Sequence, residues 1–161
     1  MVDVGGGDSR LVDHLIERGV SCLAVLDVSS TALTRARQRL GPDANRVQWL
    51  EYDVTDAWSV SPRDIWHDRA VFHFLTDADD RQRYVQHLRD TLKINGSAII
   101  ATFALDGPEK CSGLPVMRYS PETLAKELGE GFALLESVPD QHQTPSGSIQ
   151  SFQYSRFVRV H

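Results

Sequence analysis

The feature that most constrains the fold of this chain is a glycine-rich turn near its start, within Val2-Asp3-Val4-Gly5-Gly6-Gly7-Asp8-Ser9-Arg10. Consecutive glycines accept positive φ values and let a ligand approach the main chain closely, which a Cβ would prevent. A helical pattern follows and ends at Gly19, with one apolar face made of Leu11, Val12, Leu15 and Ile16. The amides that open this helix would point into the same turn. The stretch therefore predicts a buried strand, a ligand-binding turn and a helix.

A second acidic residue comes directly after the next predicted strand. Residues 22–26 form a short continuous apolar run, as expected for a buried parallel strand, and Asp27 follows. A carboxylate at this place, about twenty residues beyond the glycine turn, can accept hydrogen bonds from a ribose diol. A helix-capping or surface role is weaker because Ser29 and Ser30 are available to cap the next helix. We therefore interpret Asp27 as a ribose ligand.

The spacing around the turn separates two protein families that use such a turn. A dinucleotide fingerprint needs a small residue three positions beyond Gly7, and here that position is Arg10. The pattern from Asp3 to Ser9 instead resembles the first motif of class I S-adenosylmethionine-dependent methyltransferases, an acidic residue followed by G-x-G-x-(G/S). The resemblance implies that the amino-acid end of the cofactor binds to Asp3, Gly5, Gly6 and Gly7.

The resemblance continues after the third predicted strand, which covers residues 46–50. In this family an aspartate just past that strand holds the adenine amino group, and the next backbone amide contacts the ring. Asp53 and Val54 match these two places, and Asp27 and Val28 complete the cofactor site that the resemblance implies. The sequence Asp-Val-Thr can also form an Asx turn, and the residues alone leave the two interpretations even.

The densest chemistry of the chain lies in residues 64–75, whose beginning predicts the fourth strand. Because ligands of doubly wound sheets bind beyond the carboxyl ends of the strands, we expect His67, Asp68 and Arg69 to face the transferred methyl group. A nucleophile with a proton to lose needs a base, and His67, oriented by Asp68, is one candidate. His73 is another, although a core histidine between two phenylalanines explains it equally well. Arg69 either pairs with Asp68 or holds a carboxylate of cofactor or substrate.

The second half of the chain predicts scaffold and a substrate-binding region. Residues 77–93 have a helical pattern, and residues 98–103 form the fifth strand after a turn in which Asn95 takes a positive φ. The long irregular segment 104–119 is the candidate substrate loop. Arg118 and Tyr119, at its end, lie where members of the resembled family often contact substrate.

The end of the chain predicts a helix and a hairpin. Ser120-Pro121 begins the helix, and residues 132–135 and 149–160 form the last two strands. Residues 139–148 connect these strands, with Pro145-Ser146-Gly147 as the turn former. His142 lies in this connection and is the third substrate-binding candidate.

Composition narrows the classes of function. The chain has 161 residues, 41% of them hydrophobic, and a net charge of −5, which disfavours nucleic acid and anionic membrane as partners. It contains neither a secretory signal pattern nor a long apolar run, so we expect a cytoplasmic protein. Cys22 and Cys111 are interpreted as reduced thiols, and no metal-ligand spacing is present, so no metal is expected.

Together these features predict an α/β fold in three α/β/α layers. The sheet is doubly wound, seven-stranded and mostly parallel with an antiparallel last strand, as in Rossmann-like class I methyltransferases. We expect residues 1–161 to form a single methyltransferase domain that lacks the helices usually found ahead of the first strand. The expected consequences are weaker cofactor binding than in a longer relative and a tendency to form a homodimer.

The function that the resemblance implies is transfer of a methyl group from S-adenosylmethionine to an N, O or S atom, which leaves S-adenosylhomocysteine. The acceptor is a small molecule or a protein side chain, and the fold does not choose between them. A non-catalytic module that binds either form of the cofactor is an alternative. A nicotinamide-dependent oxidoreductase is a third reading, and Arg10 and the terminal hairpin argue against it.

Overall fold

A computed structural model describes residues 1–144 and 147–161 and is built around one seven-stranded sheet. In chain order the main elements are β1 (Val2–Val4), α1 (Leu11–Glu17), β2 (Leu23–Asp27), α2 (Ser30–Leu40), β3 (Val47–Glu51), β4 (Arg63–Arg69), α3 (Ala78–Thr91), β5 (Leu92–Phe103), β6 (Lys110–Cys111), β7 (Leu114–Pro115), α4 (Pro121–Leu128), β8 (Phe132–Gln143) and β9 (Ile149–Arg159). Two short 3₁₀ helices, Gly41–Arg46 and Phe72–Phe74, precede β3 and α3.

The strand order is β3-β2-β1-β4-β5-β9-β8. Strands β1 to β5 pair in parallel, whereas β9 is antiparallel to both of its neighbours. The chain reverses its direction of winding between β1 and β4, which is where ligands bind in open α/β sheets. The predicted doubly wound sheet with an antiparallel last strand is confirmed.

The helices cover both faces of the sheet because successive strand residues point to opposite sides. On β2, Leu23 and Val25 pack with residues of α1 and α2, whereas Ala24 and Leu26 belong to the cluster that contains residues of α3 and α4. The predicted three layers follow from this alternation.

An ion pair joins α1 to α2. The Arg39 guanidinium donates from Nε and Nη2 to the two carboxylate oxygens of Asp13, each at 2.8 Å. Arg39 Nη2 also donates to the carbonyl oxygen of Ser9, at the glycine turn. Arg39 is therefore only partly exposed, whereas Arg35 and Arg37 on the same helix are exposed.

The turn at Asn95 has the predicted geometry, whereas the segment 104–119 contains a turn that was not predicted. Asn95 has a φ of 64°, as predicted for the turn before the inner part of β5. The segment 104–119 contains the small hairpin β6–β7, turning through Ser112 and Gly113 with φ values of 50° and 82°. The sequence pattern did not predict this hairpin.

The last strand pair is longer than predicted. Strand β8 extends to Gln143, which pairs with Ile149, so residues 139–143 belong to a strand and not to a connection. Pro145 and Ser146 of the predicted turn lie outside the described residues. Across the part of the chain that the structure describes, there is no helix with the length and apolar character needed to span a membrane.

Candidate functional site

The glycine turn after β1 fits tightly against its surroundings. Gly5 has a φ of 70°, and its amide donates to the carbonyl oxygen of Leu26 on β2 at 2.8 Å. A Cβ on Gly6 would lie 2.4 Å from Asp3 Oδ2, and one on Gly7 would lie 2.6 Å from Asp27 Oδ2. The carboxylates of Asp3 and Asp27 therefore occupy the space that side chains on the turn would need.

Asp3 on β1 has one satisfied and one unsatisfied carboxylate oxygen. Its Oδ1 lies 2.7 Å from His67 Nδ1 on the neighbouring strand β4. Its Oδ2 is buried and has no hydrogen-bond partner among the described residues, and Asp3 as a whole is only 4% exposed. A buried carboxylate oxygen left in this state is costly, so the site favours a cationic or N–H-bearing ligand.

This carboxylate lines a cavity of about 360 Å³. The glycine turn forms one wall of the cavity, and the side chains that close it include Ser9, His67, Arg69 and Tyr154. The lining of this cavity therefore includes both a carboxylate, from Asp3, and a guanidinium, from Arg69.

Asp27 at the end of β2 holds the glycine turn and the start of α2 together. Its Oδ2 accepts from the Gly7 amide at 2.9 Å, and its Oδ1 accepts from the Ser29 amide at 2.8 Å. Ser29 itself caps α2 by accepting from the Ala32 amide, so the capping role belongs to the serine. Each oxygen of a carboxylate can accept a second hydrogen bond, and Asp27 therefore keeps acceptor capacity for a diol.

Asp27 faces a second, larger cavity of about 540 Å³, which is within the range of ligand-binding pockets. The two cavities share Gly5 and Arg69. The larger cavity is lined by residues from the ends of β2, β3 and β4 and from the β6–β7 hairpin, including Val28, Tyr52, Asp53, Val54, Phe74 and Leu114.

Asp53 forms the Asx turn that was one of its two interpretations. Its Oδ1 accepts from the amide and from the hydroxyl of Thr55, at 2.8 and 2.7 Å. Asp53 is exposed at the wall of the larger cavity, next to the buried Val54. The turn fixes the direction of the carboxylate and is compatible with a ligand, so the adenine role stays a prediction.

Asp68 does not face either cavity, contrary to the prediction. It is fully buried, and its carboxylate accepts from the amides of Val71 and Phe72 and from the hydroxyl of Tyr84, at 2.8, 3.0 and 2.6 Å. Burial raises the pKa of Asp68 to about 6, against the lowering effect of these hydrogen bonds. Asp68 orders the turn after β4 and neither orients His67 nor pairs with Arg69.

His73 is a core histidine, which decides between its two interpretations. It is fully buried, and its Nδ1 accepts from the Phe103 amide at 3.3 Å. The rings of Phe74, Phe103 and Phe152 lie 4.7, 4.6 and 6.4 Å from its ring. Burial lowers the pKa of His73 to about 4. A buried imidazole outside both cavities is in no position to take a proton from an acceptor.

His67 and Arg69 do line the cavities, because alternate residues of β4 share a face. His67 is paired with Asp3 instead of Asp68. The Arg69 guanidinium lies 5.3 Å from the centroid of the Phe152 ring, in a cation–π arrangement. It makes no ion pair within the described residues and is open to an anionic group.

The three predicted substrate-binding residues lie apart from both cavities. Arg118 pairs with Glu109 and donates to the carbonyl oxygen of Gly107, so it ties the ends of the 104–119 segment together. Tyr119 is 3% exposed within the main core, and burial raises its pKa to about 12. His142 lies in β8 with its ring 6.3 Å from that of Phe152. The structure gives Arg118 and Tyr119 structural roles.

Other residues take the places next to the ligand cavities. Leu114 and Pro115 of the β6–β7 hairpin line the larger cavity, as do Phe74 and Leu75 after β4. The length of the 104–119 segment had indicated a substrate loop, but the sequence pattern did not show which of its residues turn inward. In the described residues, no group of three or more histidine, cysteine, aspartate or glutamate side chains could hold a metal ion.

The fold and the position of the cavities define a class of protein, a doubly wound α/β domain with the architecture of class I S-adenosylmethionine-dependent methyltransferases. The family model described as "Methyltransferase domain" matches residues 2–98, more than half of the chain. The chain therefore belongs to this methyltransferase domain family. A comparison with curated proteins found no match.

Solved structures with similar folds are distant in sequence. One is the N-methyltransferase NodS from Bradyrhizobium japonicum in complex with S-adenosylhomocysteine, with 18% identity and a TM-score of 0.73 over 99% of this chain and 77% of that one. A 1,6-didemethyltoxoflavin N1-methyltransferase from Burkholderia thailandensis has 17% identity and a TM-score of 0.76 over 99% and 70%. A methyltransferase from Clostridium acetobutylicum has 12% identity and a TM-score of 0.78 over 99% and 83%. At these identities the likeness concerns the fold.

Proposed function

We propose that this protein binds S-adenosylmethionine across the two adjacent cavities and transfers its methyl group to an N, O or S atom of an acceptor. The observation that carries the proposal is the buried, unpartnered Oδ2 of Asp3 beside a glycine turn that has no room for a Cβ. An α-ammonium group is a ligand that would satisfy this oxygen. The fit of such a group supports the family's cofactor at this site.

In this proposal the nucleoside lies in the larger cavity. The carboxylate of Asp27 accepts the ribose diol, and its existing bonds to the Gly7 and Ser29 amides hold it in place for that task. Asp53 and Val54 contact adenine, with Val28 alongside. The amino-acid end lies in the smaller cavity against Asp3.

The protein's contribution to the reaction would be mainly alignment. S-adenosylmethionine, when bound, supplies an electrophilic methyl group on a sulfonium that leaves as a neutral thioether. The walls after β4 hold the acceptor in line and exclude water, which can lower the barrier by several kcal/mol. Arg69 stands where the two cavities meet and would hold an anionic group of cofactor or acceptor.

For the acceptor we propose a small molecule with an apolar part. The lining of the larger cavity includes the apolar side chains of Phe74, Leu75, Leu114 and Pro115. The structural neighbour from Burkholderia thailandensis, crystallised with 1,6-didemethyltoxoflavin, supports this size of acceptor. A protein side chain is the competing acceptor.

We also propose that the protein forms a homodimer. Sedimentation that shows a monomer would contradict the proposed dimer.

The first experiment is a calorimetric titration of the protein with S-adenosylmethionine and S-adenosylhomocysteine, repeated on Asp27→Ala. Binding by the parent and its loss in the variant is the expected result. Asp43→Ala is the matched control, because Asp43 is exposed in the 3₁₀ helix after α2 and, among the described residues, pairs with Arg46 alone. Thermal unfolding of all three proteins separates a binding defect from a folding defect.

Absence of binding by the well-folded parent would contradict the proposal. Binding followed by screening for methyl transfer to small acceptors and to protein then tests turnover. Tight binding of both cofactor forms with no transfer to any acceptor would favour the alternative, a non-catalytic cofactor-binding module.

A further inference from the structure

We infer that His67 is a positioning residue, which fixes the Asp3 carboxylate so that Oδ2 receives the α-ammonium of the cofactor's amino-acid end. The inference rests on the proposed function and changes the role of His67 from the base predicted from sequence. It concerns recognition of the ligand and not removal of a proton.

The sheet register brings the two residues together. Asp3 on β1 and His67 on β4 are directly paired in parallel neighbouring strands, so their side chains project from the same place on the sheet. The Nδ1 to Oδ1 distance of 2.7 Å is at the short end for a charge-assisted hydrogen bond. Since a carboxylate accepts and does not donate, Nδ1 carries the proton.

This hydrogen bond selects which oxygen remains for a ligand. With Oδ1 occupied by His67, Oδ2 points to the backbone of Gly6, where it would lie 2.4 Å from a Cβ. The two oxygens are equivalent and a half-turn only exchanges them, but any smaller rotation of the carboxylate would break the bond to the imidazole. His67 therefore holds the free oxygen toward the glycine turn and the smaller cavity.

The same pair could instead be a base oriented by a carboxylate, as in a catalytic His-Asp pair. Two observations favour the reverse arrangement, in which the histidine orients the carboxylate. The carboxylate is the more buried partner, with a side chain 6% exposed against 18% for His67. Its second oxygen is also unsatisfied, and a pair built only to orient a base gives no reason to bury that oxygen without a partner.

The two roles predict different effects on ligands that cannot react. S-adenosylhomocysteine carries an α-ammonium and has no methyl group to transfer, whereas 5′-methylthioadenosine lacks the amino-acid end. A positioning role for His67 affects only the first ligand. A base role affects neither of them.

The test is a titration of both ligands into the parent, His67→Leu and His67→Asn. The leucine variant removes the donor, and we expect its affinity for S-adenosylhomocysteine to fall by about tenfold or more, from loss of a hydrogen bond to a charged group. The affinity of the leucine variant for 5′-methylthioadenosine should stay within about twofold of the parent's affinity for that ligand. The asparagine side chain can donate an N–H to Asp3 Oδ1, so it should restore most of the lost affinity.

Each other outcome overturns the inference in a recognisable way. Unchanged affinity of His67→Leu for S-adenosylhomocysteine, with slower methyl transfer, would establish the base role. Equal weakening of both ligands in both variants would mean that His67 supports the cavity walls in general. Failure of the parent to bind either ligand would remove the proposed function itself, whereas binding of both ligands equally by the parent would leave the nucleoside site and remove only the ammonium site.

Discussion

Replacing His73 by asparagine should make the protein less sensitive to acid. The folded protein keeps His73 neutral, because its ring is buried among phenylalanines and its Nδ1 accepts from the Phe103 amide. Burial lowers the pKa of His73 from 6.5 to about 4. An asparagine carbonyl can accept the same hydrogen bond, but it carries no group that titrates in this range.

The magnitude follows from the two pKa values. As the pH falls through 6.5, the unfolded chain binds a proton on His73 that the folded protein does not bind until about pH 4. Stability is therefore fully present above pH 6.5 and is lost on acidification. Relative to neutral pH, the linkage relation gives a loss of about 2 kcal/mol at pH 5 and about 3 kcal/mol at pH 4.

Urea unfolding of the parent and of His73→Asn across this pH range measures the effect. The variant starts less stable at neutral pH, because it fills less of the core, and the difference in free energy of unfolding should shrink by the amounts above. Titrations shared by both proteins, such as that of Asp68, cancel in this difference. His14→Asn is the matched control because the His14 side chain is 65% exposed. Parallel pH profiles of the parent and His73→Asn would refute the reasoning.

Three further predictions concern other parts of the structure. Gly7→Ala should weaken S-adenosylhomocysteine binding by about tenfold or more in calorimetry. The new Cβ would lie 2.6 Å from Asp27 Oδ2 and would displace that carboxylate. Unchanged affinity would contradict the tight fit of the turn. Asp68→Asn should change the pH dependence of stability, because the raised pKa of Asp68 favours the folded state only while the carboxyl is protonated. In urea unfolding, the stability advantage of the parent over this variant should shrink by about 3 kcal/mol as the pH rises from below 3.8 to above about 6. A difference that stays constant with pH would exclude the raised pKa. Arg39→Met, which removes the ion pair between α1 and α2, should lower the free energy of unfolding by about 1 kcal/mol in thermal or urea unfolding. Arg83→Met removes an exposed ion pair and should change the free energy of unfolding little. Equal effects of the two substitutions would contradict a larger contribution from the pair between the helices.

The fold could be predicted from local patterns because each element carries its own signal. Apolar runs mark β2 and the inner part of β5, and a serine cap opens both α2 and α4. The cap of α2 is Ser29, one of the two serines that the sequence offered for it. The extent of β8 was missed, because a strand that is mostly exposed has no apolar alternation to mark where it ends.

The candidate site was harder to predict, since it depends on which way side chains point. His67, Asp68 and Arg69 were treated as one group, although the period of a strand places the middle residue on the other face. That period was the signal that could have separated Asp68 from its neighbours. The burial of His73 depends on Phe103, thirty residues away on β5, and no local pattern contains that contact.

The turn after β4 links the glycine turn to the helix α3. Val71 Cγ2 occupies the space where Gly5 would carry a side chain, and the amide of Val71 is held by Asp68, which is held in turn by Tyr84 of α3. Tyr84 lines neither cavity, yet it sets the position of a wall that both the turn and a ligand would touch. In a saturation mutagenesis experiment, tolerance at position 71 should therefore depend on the residue at position 5, and core changes at position 84 should be selected against as strongly as changes in the ligand-binding turn.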